Sequence, residues 1–364
     1  MGLTSMEGLR YILFWLVLLL PGMAQADAVN NEWYSSLRAL SMGNIGVASS
    51  DGTSEAMFYN PAALARIKRT VVEYFNLQME FGKDIFGISE NQKNYGKNTD
   101  LSSILPQLEK HPGSVSYLGA SSFPNFHAEN LEFGVLGKIE KWSYYDGQTL
   151  TYHSRVVIMP TLGMSLGLFG NRIKLGVAGR AIQLTENDKA VTTLKNIGYN
   201  LDAQEGFGFG VDAGVLLSLP WAMLPSLGAV ARNIGGTRFI SAAPWGIATG
   251  TVIRPAPLRM TIDGGFALFP KLGRTTVLTI AIDYRDILNR LGESKKRWPN
   301  VGGELAVYKT LFLRGGVSQG YWTAGIGLGA KNGTLDLGTY GEELTNHFQG
   351  KENRRFALKF GNRF

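Results

Sequence analysis

An all-β chain is predicted, a transmembrane antiparallel up-and-down β-barrel of about 14 strands, on three observations. Hydrophobic residues make up 45% of the 364 positions and glycine 46 of them, yet only Tyr11–Leu20 is an unbroken apolar run. From Thr70 onward the apolar residues come in short alternating portions, as in strands that bury one face in lipid and turn the other inward. The connections between those portions also sort by length, short and long in alternation, as the two ends of such a barrel require.

The N-terminal run YILFWLVLLL, followed by Pro21 and Ala24-Gln25-Ala26, is predicted as a secretory signal peptide over residues 1–26. It is too short to span a bilayer as a helix. Removing it takes away one cation and one carboxylate, so the net charge stays at +7. No basic cluster stands out, so nucleic acid is not an expected partner. The chain has no cysteine, which excludes disulfides and thiolate metal sites.

Residues 27–69 are rich in Ser, Gly and Ala and do not alternate. Asn60 followed by Pro61-Ala62-Ala63-Leu64-Ala65 predicts a short helix, with Asn60 as N-cap and Pro61 at the first position. Three segments here, Arg38-Ala39-Leu40-Ser41-Met42-Gly43, Val47-Ala48 with Asp51-Gly52, and Tyr59-Asn60-Pro61-Ala62-Ala63-Leu64, carry a resemblance. They resemble the N-terminal signature of the FadL-like superfamily, which includes long-chain fatty acid and aromatic-hydrocarbon transporters and PorV-type secretion barrels. The resemblance implies that residues 27–69 form a small plug inside a barrel of residues 70–364. Phe58, Tyr59, Asn60 and Pro61 would then be gating residues.

The strands themselves show the pattern in turn. Glu205–Leu219 sets Phe207, Phe209, Val211, Ala213 and Val215 against glycines and Asp212. Leu258–Phe269 sets Leu258, Met260, Ile262 and Phe266 against Arg259, Thr261 and Asp263. Arg274–Arg285 sets Leu278, Ile280 and Ile282 against Thr279 and Asp283. Tyr321–Ala330 sets Trp322, Ile326 and Leu328 against Thr323 and glycines. The last strand, NRRFALKFGNRF, alternates Phe356, Leu358, Phe360 and Phe364 with Ala357, Lys359 and Gly361. Pairing it with the first strand leaves no open edge. Its terminal Phe364 resembles the insertion signal of Gram-negative outer-membrane barrels, which implies the barrel-assembly machinery as a partner.

Magnitude decides which face meets lipid. An Arg or Lys facing lipid at the midplane costs about 2–4 kcal/mol. Arg180, Asp212, Arg259, Asp263, Asp283, Arg314 and Lys359 are therefore predicted to line the lumen, with Glu132, Glu304 and Asp336. A cross-strand ionic network is the expected role for most of them. Trp142, Tyr144, Tyr145 and Trp322 fall near strand ends and are expected in the interfacial aromatic belts.

With Thr70–Gly82 as the first strand, the even-numbered connections are short: Pro124–Asn130, Phe169–Asn171, Pro220–Ser226, Pro270–Gly273, Tyr308–Thr310 and Lys331–Gly333. The long ones are odd-numbered, about 83–112, 187–204, 233–257, 286–299 and 341–352, with tight exceptions at Asp146-Gly147 and Gln319-Gly320. This places both termini in the periplasm of a Gram-negative cell. Asp100–Lys110 in the first long connection is a candidate loop helix.

No enzyme chemistry is expected. Gly163-Met164-Ser165-Leu166-Gly167 matches a hydrolase pattern and Gly325–Ala330 a dinucleotide pattern, but each lies inside an alternating strand. His111, His127, His153 and His347 are scattered without metal-ligand spacing, so neither metal nor cofactor is expected. His127 is expected in an exposed turn. The function implied is transport or binding of small hydrophobic molecules from among the outer-membrane lipids. Pro160, inside the long segment Gln148–Phe169, removes a ladder hydrogen bond and marks a candidate lateral exit. The alternative is a PorV-like shuttle or assembly barrel with a protein partner and no transport role.

Overall fold

The computed structural model describes residues 33–50, 55–84, 108–191, 204–241, 245–246, 253–345 and 347–364. The expected leader and most of the Asp100–Lys110 helix lie outside the described residues. The strands are β1 Val71–Gly82, β2 Val115–Ser122, β3 Asn125–Ala128, β4 Leu131–Tyr145, β5 Leu150–Leu168, β6 Ile173–Val191, β7 Gln204–Ser218 and β8 Ser226–Arg232. They continue as β9 Phe239–Ile240, β10 Thr261–Leu268, β11 Thr276–Tyr284, β12 Pro299–Val307, β13 Leu311–Ser318, β14 Tyr321–Gly329, β15 Gly333–Glu343 and β16 Glu352–Arg363.

Fourteen of these form a closed antiparallel ring, with β3 prolonging β2 and β9 a short addition on β7. Closure is made by β1 on β16, from Glu73↔Arg363 to Gly82↔Arg355, with one irregularity between Glu73 and Phe75. The expected use of the last strand is therefore met. Along β16, Phe356 and Phe360 are exposed while Ala357 and Lys359 are buried. The same alternation turns Phe133, Leu162, Val177, Phe209, Ile282 and Leu313 outward. An apolar outer band around a polar interior is the division a lipid environment imposes.

Connections at the end carrying Val71 and Arg363 are short, as expected. Tyr308 and Lys309 take φ of 52° and 55°, the paired left-handed geometry of a tight hairpin. At the opposite end, the tight Asp146 turn is held by its own side chain, which accepts from the N–H of Gln148 at 2.8 Å and Thr149 at 2.7 Å. Two boundaries differ from expectation. Pro124 does not end the second strand; its carbonyl accepts from Val135 N–H at 3.1 Å and the chain resumes as β3. Proline lacks only the donor, so a single missing rung does not turn the chain. In addition, β10 starts at Thr261, after Leu258 and Arg259.

Inside the ring lies the N-terminal segment, with α1 Leu37–Ser41, α2 Ala56–Tyr59 and a 3-10 helix Pro61–Arg66. Asn60 caps the last of these, accepting from Ala62 N–H at 3.0 Å. The expected cap and Pro61 position are met, with a tighter helix than expected. Phe58, Tyr59, Ala62, Ala63 and Leu64 are all buried in one apolar cluster with residues of the strands.

Candidate functional site: the plugged lumen

The N-terminal segment meets the barrel first through glycines. A Cβ on Gly302 would stand 2.2 Å from Met42 O, on Gly228 2.4 Å from Val47 O, and on Gly176 2.2 Å from Pro61 C. Only glycine lets one backbone approach another this closely. The lumen glycines thus form a groove shaped to the plug backbone.

Charged side chains then fasten the plug. Lys359 Nζ donates to Glu55 Oε1 at 2.8 Å. Arg38 forks onto Glu304 at 2.8 and 3.0 Å, and Arg314 joins Glu304 at 2.7 Å and also pairs with Asp336. Asp283 Oδ2 accepts the N–H groups of Gly46 at 2.6 Å and Val47 at 2.9 Å. Arg232 donates to the carbonyls of Phe58 at 2.5 Å and Tyr59 at 3.2 Å while paired with Asp263 at 2.6 Å. Burial alone would raise the Glu55 carboxyl, but Lys359 and Arg38 hold it below the usual carboxylate range. Burial pushes the Tyr34 hydroxyl up to about 12, against the opposing effect of Lys359, so it stays neutral.

The residues singled out from sequence fall as follows. Phe58 packs in an aromatic trio with Tyr34 and Phe123, centroids 5.1 and 4.8 Å away. Tyr59 donates to Asn44 Oδ1 at 2.8 Å. Asn60 Nδ2 ties Val47 O at 2.8 Å to Val215 O of the barrel at 3.1 Å. Arg180 pairs with Asp212 inside the ring. Arg259 is not in the lumen: it is exposed, ahead of β10, and donates to Arg290 O at 2.9 Å. It escapes the lipid penalty by lying outside a strand. Pro160 pairs with Val135 on β4, but on the β6 side the ladder passes from Ile158↔Gln183 to Thr161↔Arg180 without rungs at Met159 and Pro160. On one side of that interruption the inner wall is apolar, with Leu136, Val157, Met159 and Ile182 all buried, and on the other stands the Arg180–Asp212 pair.

On the side of the plug away from Arg363 lies a cavity of about 400 Å³, floored by Tyr34, Leu40 and Asn44 and walled by strand side chains. Trp142 lines it, stacked on His153 with centroids 5.6 Å apart, rather than standing in an outer belt. Trp322 does face outward, at 58% exposure, beneath the Arg354 guanidinium at 4.1 Å. His127 is buried in β3 rather than exposed in a turn. Ser165 sits within β5, its Oγ 3.3 Å from Asn130 Oδ1, with no helix after it. His153 proves to share the cavity wall with Glu140, Glu186 and Asp188, a grouping made by cross-strand pairing that residue spacing cannot display.

No protein-family model and no curated protein matches the sequence. In structure the chain is similar to the CymD monoaromatic hydrocarbon channel, TM-score 0.57 and 10% identity over 92% of this chain and 98% of that one. It has the fold of that channel. The Ralstonia pickettii toluene transporter TbuX matches with TM-score 0.53 and 12% identity over 92% and 99%, and the Pseudomonas putida toluene transporter TodX with 0.50 and 11% over 90% and 96%. The plugged barrel that the resemblance of residues 38–64 implied is thus a fold shared with these channels.

Proposed function

We propose that this chain is an outer-membrane barrel that carries small hydrophobic molecules, taken up at the cavity above the plug and released sideways at Pro160. The observation that carries the reading is the interrupted β5–β6 ladder lying at the edge of an apolar sector of the inner wall. A hydrophobic molecule leaving through a charged wall would strip water from ionised groups, whereas passage past Leu136 and Met159 carries no such cost. The neighbours named as toluene transporters and a hydrocarbon channel support the substrate class. Converting Pro160 to Val restores a donor to the ladder. In cells dependent on the protein, P160V is expected to slow toluene uptake several-fold while leaving barrel folding intact. Uptake equal to wild type defeats the lateral route.

A second reading, a PorV-like sealed barrel that binds a partner, is favoured by the plug's many ionic fastenings. Mass spectrometry of the purified protein separates the two. Extracted hydrophobic small molecules support transport, and a stoichiometric protein partner supports the sealed barrel.

A further inference from the structure

The cavity wall holds a group that neither plug nor passage uses. His153 on β5 faces Asp188 on β6 in register, and Glu186 is the next inward residue of β6. One donor atom from each of the three lies within 4.8 Å of the others. Glu140 Oε1 stands 3.9 Å from His153 Nε2, the ring nitrogen opposite the one facing Asp188, and so orients the ring rather than joining the set. Donors around an ion bound at 2.0–2.2 Å stand about 3–4 Å apart, so small side-chain rotations close the set.

The setting favours a cation. The cavity lining counts nine carboxylates against six Lys and Arg among the described residues. Within the group, Arg155 contacts Glu140 at 3.3 Å and Glu186 at 3.1 Å, and Lys138 contacts Glu140 at 3.0 Å. Those two cations offset two of the three carboxylates, and the third, Asp188, is paired with the His153 ring, whose proton an entering ion displaces. Trp142 stacked on His153 and Arg155 against Glu186 fix ligand orientation from behind, as outer partners do in metal sites. Opening onto the cavity gives the ion a way in.

We propose that His153, Glu186 and Asp188, with Glu140 orienting the imidazole, bind a divalent transition-metal ion of the zinc type at the mouth of the barrel. One imidazole among carboxylates suits zinc, whereas calcium favours an all-oxygen shell. Bound there, the ion clips β5 to β6 above the apolar sector.

Calorimetric titration of zinc chloride into the untagged full-length protein in detergent tests this. One ion per chain is expected, with calcium at least tenfold weaker. H153Q and D188N are each expected to weaken zinc by at least about tenfold, with heat-modifiable gel migration confirming that both barrels fold. E342Q, which removes a different cavity carboxylate, is expected to bind zinc as wild type does. Three results overturn the proposal: no stoichiometric binding, undiminished affinity in both H153Q and D188N, or equal loss in E342Q, which would mark diffuse attraction by the acidic cavity.

Discussion

The inner wall over β4–β7 and the inner wall over β11–β16 are made of the same alternating strands but hold the plug by different means. At mid-height β4–β7 present Leu136, Val157, Met159, Ile182 and Leu216, and the buried charges Arg180 and Asp212 pair with each other. The β11–β16 wall presents Asp283, Glu304, Arg314 and Lys359, and each is bonded to the plug or to a group that is. One wall is smooth to an apolar molecule; the other is a set of bolts. The contrast teaches that lumen charge on the β11–β16 wall is mainly plug anchorage, and that the proposed passage runs where such bolts are absent.

The largest expected effect comes from drawing one bolt. K359M leaves the Glu55 carboxylate buried without its bonded cation, and breaking one side of a buried pair costs about 3–5 kcal/mol. The plug is expected to leave its seat, giving open-channel events in planar bilayers where wild type stays closed. R180M, which strands Asp212 on the other wall, is expected to leave conductance low because no plug contact is lost. Equal behaviour of the two variants breaks the comparison.

A smaller effect is expected from the groove. G302A places a methyl carbon against the Met42 carbonyl, whereas a Cβ on Gly179 meets nothing within 4 Å. Overpacking of this kind costs about 1–3 kcal/mol. Limited trypsin digestion is expected to cut the G302A plug at Arg38 or Arg66 several times faster than wild type, and G179A at the wild-type rate. A protected G302A plug would mean that the glycines do not shape its seat.

Much of this was legible in advance because it rests on periodicity and on one large penalty. The cost of a charge in lipid sends Lys359, Arg314 and Asp283 inward whatever else surrounds them, and turn lengths report which end of the barrel they serve. What those charges bind was not legible. Lys359 and Glu55 are 304 positions apart, and nothing in either local pattern marks the other. The lumen glycines read equally well as room for side chains until Met42 and Val47 are seen lying on them. Trp142 near a strand end satisfies the belt pattern, but its facing partner His153, not its depth, decides its side. Arg259 follows the same alternation but lies two residues before the strand's start at Thr261, where the lipid argument no longer applies.

The smallest effect in wild type, and the sharpest discrimination, is the response to acid. Glu55 is held below the usual carboxylate range when the plug is seated. Its contribution to seating is therefore fully present above about pH 4.3, the free carboxylate value, and is lost as pH falls through its lowered seated value. A protonated Glu55 still accepts a hydrogen bond from Lys359, so the loss is a fraction of that in K359M. Occasional openings are expected in bilayers near pH 3, while Leu136, Val157 and Met159 have nothing to titrate and keep their contacts. K359M should respond with the opposite sign. With Lys359 gone, only the more weakly acting Arg38 and Ser36 oppose burial, so acid that neutralises Glu55 removes the stranded charge and lets the plug return. K359M closing as pH falls towards about 4.3 and wild type opening only below it would tie the plug to that single pair; parallel responses would place its anchorage elsewhere on the wall.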